Sequence, residues 1–478
     1  MSHQPFEPFR SPFGRGHQRL VVAVLAFGGM GAAFMQTILM PIQRELPALL
    51  EADPSATPWV ITVTLLASAV SVPISGRLGD MFGKRAVVVV LLAALLCGSI
   101  VCALSSSLVP MIVGRALQGC GMGIIPLGIS LLRDVVDTRR LGTAIALVSA
   151  TLGVGAAVGL PISALVVQHA DWHMLFVIAS VWALTALVLV LIVIPEAGER
   201  VGGRVDLVGA VGLAAGLAGI LLAVSQGGVW GWASAVTLAC GTGGVAILAA
   251  WGWYELRVAD PMVDLRVSVR PAVLATNLAS VAMGFSLFAS SVAFIQFLEL
   301  PVARGGLGLG LLPASLLLMP AGIAMLVVSP IAGLVERTAG PRPLLIGGAL
   351  VIAVAYAVCL LSDPGAWTVS GANLLIGVGI GLGFGAMPAL IMSAVPRSET
   401  GAANGLNTLM RSLGTTSAAT VVGAILATPP ASGALDGAFT LVFGLGLVAA
   451  LVCAGIASLI PQPPHPGTGR VGIREGAR

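Results

Sequence analysis

The stretch GRLGDMFGKR, Gly76 to Arg85, spans the junction of two apolar runs, 58–79 and 86–105. Each run is long enough to cross a bilayer, which takes about 20 apolar residues. The residues between them leave room only for a tight turn, which glycine permits. The charges of the turn are mostly basic. Asp80 is available either to cap a helix or to pair with a base on a neighbouring element. A second stretch, GLVERTAGPR, Gly333 to Arg342, repeats the spacing of Gly, six residues, Gly, one residue, Arg. Such a repeat between apolar hairpins points to a chain built from two related halves.

The composition agrees. The 478 residues are 57% hydrophobic and only 9% charged, with a mean hydropathy of +1.02. That is too little charge to cover a water-soluble surface, and the class expected is an all-α polytopic membrane protein. Fourteen spans are read at 20–41, 58–79, 86–105, 108–132, 141–167, 172–195, 207–226, 232–254, 272–298, 309–334, 343–362, 367–394, 402–427 and 437–460. The first nineteen residues are polar, and no cleaved signal peptide is expected.

Basic residues test the count. With both termini cytoplasmic, only Arg44 and Arg304 of the 24 lysines and arginines fall in outer loops, while Arg115 and Arg411 fall within spans. Every other one is cytoplasmic, which obeys the positive-inside rule. A missed span would invert every later loop. The two related loops each join the second and third spans of a six-span set. The chain therefore divides into a six-helix bundle at 20–195, a two-helix insert with flanking loops at 196–271 and a six-helix bundle at 272–461. The cytoplasmic tails are 1–19 and 462–478.

With the RALQG stretch at Arg115–Gly119 and a glycine-rich fifth span, GRLGDMFGKR resembles the loop motif of the major facilitator superfamily. The layout of six, two and six spans is similar to the fourteen-span drug:proton antiporters, bacterial exporters of multiple drugs and natural products. The resemblance implies a bacterial inner membrane, alternating access and export driven by inward proton flow. It also implies that Gly76, Arg77, Gly79, Asp80, Gly83, Lys84 and Arg85, with Asp134 as partner, form a cytoplasmic latch. Plain anchoring by Arg77, Lys84 and Arg85 is the alternative.

Span thirteen places Asn404, Asn407, Thr408, Arg411 and Thr415 on one helical face. A polar stripe with a charge does not face lipid cheaply, so it lines the substrate cavity or binds a neighbouring helix. Arg115 and Gln118 share a face of span four, roughly 10 Å deep at 1.5 Å per residue. Arg115 either serves the cavity or snorkels outward. Its nearest foreseeable company is Gln118 and backbone carbonyls of neighbouring spans.

In GVGAAVGLP, Gly153 to Pro161, Gly155 and Gly159 permit close helix contact, and Pro161 favours a kink. The exporters carry a Gly-Pro pair here followed by two glycines, whereas Leu160 separates Gly159 from Pro161 and Ser163-Ala164 follow. Gly377, Gly381 and Gly385 line one face of span twelve. Packing and hinge roles are both open for these glycines.

No acid falls near the middle of any span. Relatives often place an aspartate before a Thr-Ile pair in span one, where this chain has Gln36 before Thr37-Ile38. Gln36 is therefore assigned to the cavity. Glu299, in FLELP at the outer end of span nine, becomes the proton-coupling candidate, with a plain rim carboxylate as the alternative. A cavity with Arg115, Arg411 and no central acid suits neutral or anionic amphiphilic small molecules or lipids better than dications.

The expected partners are thus the lipid bilayer, such a substrate and protons. A lipid or glycolipid translocase with weak or no proton coupling, and a non-transporting sensor or scaffold, are the competing readings. No nucleophile-base pair, metal-binding cysteine or histidine spacing, or phosphate loop is present, so neither an enzyme nor a cofactor or metal is expected. No nucleic-acid partner is expected, and a monomer is expected because the fold needs no partner chain.

Overall fold

The computed structural model describes residues 11–461 except 40, 41, 43, 44, 54, 55, 58, 198–205, 259, 260, 262, 264, 363, 364, 397, 398 and 428–435. The expectations for residues 1–10, for 462–478 and for Arg44, Arg200, Arg204 and Arg397 lie outside the described residues.

Among the described residues, fourteen helices are long and apolar enough to cross a membrane. In the first half they are α1 (Arg15–Thr37), α2 (Trp59–Phe82), α3 (Lys84–Ala103), α4 (Leu108–Val135), α5 (Thr138–His169) and α6 (His173–Val193). The insert supplies α7 (Leu207–Trp230) and α8 (Ala235–Glu255). The second half holds α9 (Pro271–Glu299), α10 (Leu311–Ala339), α11 (Pro341–Leu361), α12 (Ala366–Ala394), α13 (Thr400–Ala427) and α14 (Asp436–Ser458). No strand occurs among the described residues. In hydrocarbon only a helix satisfies every backbone group within its own segment, and runs this apolar have no other solution.

Ends differ from the sequence reading. The first helix begins at Arg15 rather than 20, because a helix continues into the polar interface where hydropathy no longer marks it. Span four is broken by a 3-10 turn at Gly121–Gly123. The fifth helix runs on through Pro161 to His169.

Each half has its own apolar core, one drawn mainly from α1–α6 and joined by Met392 of α12, the other mainly from α9–α14 and joined by Ala150 of α5. The insert does not merely connect them. Leu213, Leu217 and Leu221, one turn apart on α7, pack with Ala69 of α2 and Leu409 of α13. Gln226 donates to Thr62 of α2 at 3.2 Å. The seventh helix thus lies along the line where the halves meet, and α8 packs outside it.

The halves meet along two matched seams, α2 with α13 and α5 with α10. At the end that carries the two basic loops, called the basic face here, the backbones nearly touch. A Cβ on Gly76 would lie 2.4 Å from the Gly401 carbonyl oxygen, and one on Gly333 would lie 2.4 Å from the Thr143 Cα. Small residues allow this approach, and dispersion over the contact drives association where lipid removes the hydrophobic effect. The second glycine of each repeat has another task. Gly83 and Gly340 turn the chain into the next helix with φ of 102° and 80°, a region that side chains disfavour.

Gly76→Val forces the α2–α13 seam apart. The expected loss is about 1–3 kcal/mol, the usual range for overpacking. The check is maleimide labelling of a cysteine placed at Thr400, which becomes faster when the seam opens.

Candidate functional site

The residues expected to form a latch divide by position. Asp80, 2% exposed, accepts from the backbone amides of Gly401 and Ala402 at 3.2 and 3.1 Å. These amides open α13, so they lack acceptors within their own helix, and the positive end of the helix favours a carboxylate. The Lys84 ammonium donates to Asp134 at 2.6 Å, and at 3.4 Å to both the Ser130 carbonyl and the Thr400 hydroxyl. The Ser130 and Thr400 hydroxyls lie 2.7 Å apart. Four helices, α2, α3, α4 and α13, therefore converge on one buried cluster. Arg77 is buried in the same helix end. Arg85 turns away instead, donating to the Leu191 carbonyl at 2.8 Å and standing 3.5 Å from Glu196, near the surface of its own half.

The second repeat stands at the matching seam. A Cβ on Gly142 of α5 would lie 3.0 Å from a carboxylate oxygen of Glu336, on α10. Asp80 stands in the same relation to Gly401, with its carboxylate oxygens 2.8 and 2.9 Å from the Cβ position. Both seams therefore press an acid onto the first turns of the partner helix. Sequence reading missed Glu336 because the acid is one position earlier in its loop than Asp80 and carries one more methylene.

Near the middle of the first bundle, Arg115 is 1% exposed. It donates to the Met35 carbonyl at 2.9 Å and to the Gln118 side-chain oxygen at 2.7 Å, with a longer contact of 3.4 Å to the Val60 carbonyl. The Gln118 amide donates in turn to Ser99 at 2.9 Å. The structure thus brings Arg115 and Gln118 together in a brace linking α1, α2, α3 and α4, with no carboxylate. Gln36 is half-buried, and its amide meets the Met122 sulfur at 3.6 Å.

The α13 stripe is buried from Asn404 to Arg411, against α9 and α12, while Thr415 is half-buried and donates to the Ser412 carbonyl of its own helix at 2.9 Å. Asn407 donates to Asn277 at 3.0 Å and to Ser280 at 2.7 Å, both on α9. Asn404 donates to the Thr400 carbonyl of its own helix at 2.9 Å. Thr408 is buried beside them. The Arg411 guanidinium lies 4.6 Å from the centroid of the Phe384 ring. Asn277, Ser280 and Phe384 were missed because single polar or aromatic residues in apolar helices carry no periodic signal.

The packing glycines also sort by interface. Gly155 and Gly159 meet Met30, Ala33 and Thr37 of α1, inside the first half. Gly377 and Gly381 meet Ala321 and Met325 of α10, inside the second, while Gly385 faces Ala146 of α5 across the halves. Glu299 is the last residue of α9, with the following chain folded back on it through Leu307 and Leu309 amides donating to Phe297 and Leu298.

Ahead of α1, the Ser11 amide donates to Asp137 at 2.8 Å and its hydroxyl to the Val135 carbonyl at 2.6 Å. The Ser11 amide and then the Gln18 side chain hold the Asp137 carboxyl below the usual carboxylate range.

Two cross-linked helical halves, an insert between them and polar residues at their contacts define a multi-pass membrane transporter. Residues 25–419 match the profile of the Major Facilitator Superfamily, and the chain belongs to that family. It is 29% identical over 417 residues to the Tetracenomycin C resistance and export protein of Streptomyces glaucescens, covering 86% of this chain and 77% of that protein. It is 24% identical to the Lincomycin resistance protein LmrB of Listeria monocytogenes, covering 70% of each. A Multidrug resistance protein B homolog of Mycobacterium tuberculosis is 27% identical, over 66% of this chain and 58% of that protein. In structure, the human organic anion transporter MFSD10 superposes with a TM-score of 0.64 at 16% identity, over 91% of this chain and 99% of that one. The proton:xylose symporter XylE gives 0.66 at 14%, over 94% and 97%. At these identities the likeness concerns the fold alone.

Two outcomes are expected. Arg115→Ala leaves the Met35 carbonyl and Gln118 without their donor. At about 1–3 kcal/mol for each stranded buried group, thermal unfolding in detergent should show a loss of about 2–6 kcal/mol. The depressed Asp137 carboxyl stabilises the docked Ser11 segment at every pH above its unfolded value, about 3.9. That contribution is lost as pH falls through the lower folded value. Hydrogen exchange at Ser11 should stay slow at pH 5 and quicken in stronger acid, whereas Asp137→Asn should quicken it at both.

Proposed function

We propose that this transporter exports hydrophobic or amphiphilic small molecules, drugs or natural products, in exchange for protons. The observation that carries the reading is the contact of Asp80 with the start of α13, a bond between halves that alternating access has to make and break. The names of the relatives support export, and the distribution of Lys and Arg supports a cytoplasmic basic face with both termini on that side. The closed seams on that face then correspond to an outward-facing conformation. The three-part division at 20–195, 196–271 and 272–461 is retained as the functional plan, with one chain sufficient for transport.

In this reading Gln36, Asn404, Asn407, Thr408 and Arg411 border the substrate path, and Arg115 with Gln118 shapes its wall. Glu299, at the outer end of α9, takes the proton. The substrate is a neutral or anionic amphiphile. The glycine contacts at Gly155, Gly159, Gly377, Gly381 and Gly385, with Pro161, allow α5 and α12 to move as packed rods.

Proteoliposomes with an imposed pH gradient test this. Adding a neutral or anionic amphiphile should release protons down the gradient, read by a pH dye inside the vesicles. Glu299→Gln should abolish that coupling, and a quaternary ammonium dye should move at background rate. Substrate movement indifferent to the gradient would leave a lipid or glycolipid translocase instead. Asp80→Ala removes two charge-assisted bonds worth about 1.5–3 kcal/mol each. A shift of about 3 kcal/mol or more moves the equilibrium by over roughly 100-fold, and turnover should fall steeply.

A further inference from the structure

Two arginines stand well inside spans, and the structure treats them in opposite ways. Arg115 spends its donors on Met35, Gln118 and Val60. Arg411 is 8% exposed and makes no hydrogen bond or ion pair with any described residue. Its one recorded partner is the Phe384 ring. A guanidinium carries five N–H donors in a plane, and stacking one face on a ring satisfies none of them.

The neighbours do not supply the missing acceptor. Asn407 gives its amide protons to Asn277 and Ser280, and Ser280 gives its hydroxyl proton to the Thr276 carbonyl. The α9 backbone at Gly284 presses against the aliphatic stem of Arg411. Among α9, α12 and α13, the helices that meet at this point, the one acid is Glu299 at the far end of α9. A permanent cation in hydrocarbon calls for an anion or a polar cavity. The fork of N–H groups matches the two oxygens of a carboxylate.

We infer that Arg411, backed by Phe384, binds the carboxylate of a substrate with an apolar body, and that Arg115 takes no direct part in binding. The apolar side chains of Met283 on α9 and Met387 on α12 are fully buried in the helix packing here. Met283 lies against Gly383, and the Met387 sulfur is 3.0 Å from the Ser280 hydroxyl. This rests on the export reading in taking α9, α12 and α13 as walls of the substrate path, and it narrows the substrate to organic acids.

The test uses the full chain in lipid nanodiscs, titrated calorimetrically at pH 7.5 with 2-naphthoate, its neutral isostere 2-naphthamide and the cation 2-naphthylmethylammonium. Naphthoate should bind at least about tenfold more tightly than naphthamide, as a charge-assisted bond in a dry site requires. The ammonium should bind least. Arg411→Gln should bring naphthoate to the affinity of naphthamide while naphthamide binding persists, which also shows that the variant is folded. In the unmutated protein, saturating naphthoate should protect Arg411 from hydroxyphenylglyoxal, read by mass spectrometry. Equal affinity for naphthoate and naphthamide, or no binding of naphthoate, would overturn the assignment. So would an unchanged preference in Arg411→Gln, or unprotected Arg411, which would mean that only water meets it. Selective binding with no transport in proteoliposomes would keep the site and remove the export reading. Proton-coupled export without carboxylate preference would do the reverse.

Discussion

Closure of the basic face depends on one carboxylate meeting the beginning of one helix. Asp80 is buried, and a buried carboxylate persists only where donors replace water. Those donors are the Gly401 and Ala402 amides, free because α13 starts there. The contact requires the α2 and α13 backbones to approach through Gly76 and Gly401. Once they do, Thr400 comes within reach of Ser130 and Lys84, and α3 and α4 are drawn into the same cluster. One loop thus joins four helices from both halves.

The matching seam is built alike but held differently. Glu336 stands over Gly142 as Asp80 stands over Gly401, yet Gly333 against Thr143 and Gly322 against Ala157 make α5–α10 chiefly a packing contact. The α2–α13 seam has hydrogen bonds at the basic face and the leucine ridge of α7 along its side. An inserted hairpin that touches both halves resists their separation more than a free linker would. The two seams are therefore related in geometry and unequal in the forces that close them.

The membrane interior explains why the two buried arginines differ in consequence. Arg115 has its donors taken up by the Met35 and Val60 carbonyls and by Gln118, contacts that tie α1 and α2 to α4. Arg411 is buried too, without the acceptors. Charge inside a span is not by itself a functional signal, since the arrangement of carbonyls and side chains around it decides what remains to be bound.

Much of the architecture was legible in the chain. Hydrophobic runs separated by basic loops show fourteen spans, because a bilayer imposes both a length and a charge bias that any sequence must meet. The glycine spacing of the two loops showed the repeat, because Gly83 and Gly340 occupy backbone conformations that side chains disfavour. The residue types of the loop around Asp80 and Lys84 were visible in the same stretch. Tertiary structure alone decided partners. It gave Asp80 the amides of α13 and Lys84 the carboxylate of Asp134. It turned Arg85 outward and set Glu336 over Gly142. It placed the insert on the seam, and it left Arg411 with only an aromatic face. Hydropathy and spacing act along the chain, whereas these contacts join residues tens to hundreds of positions apart, through packing that no local pattern encodes.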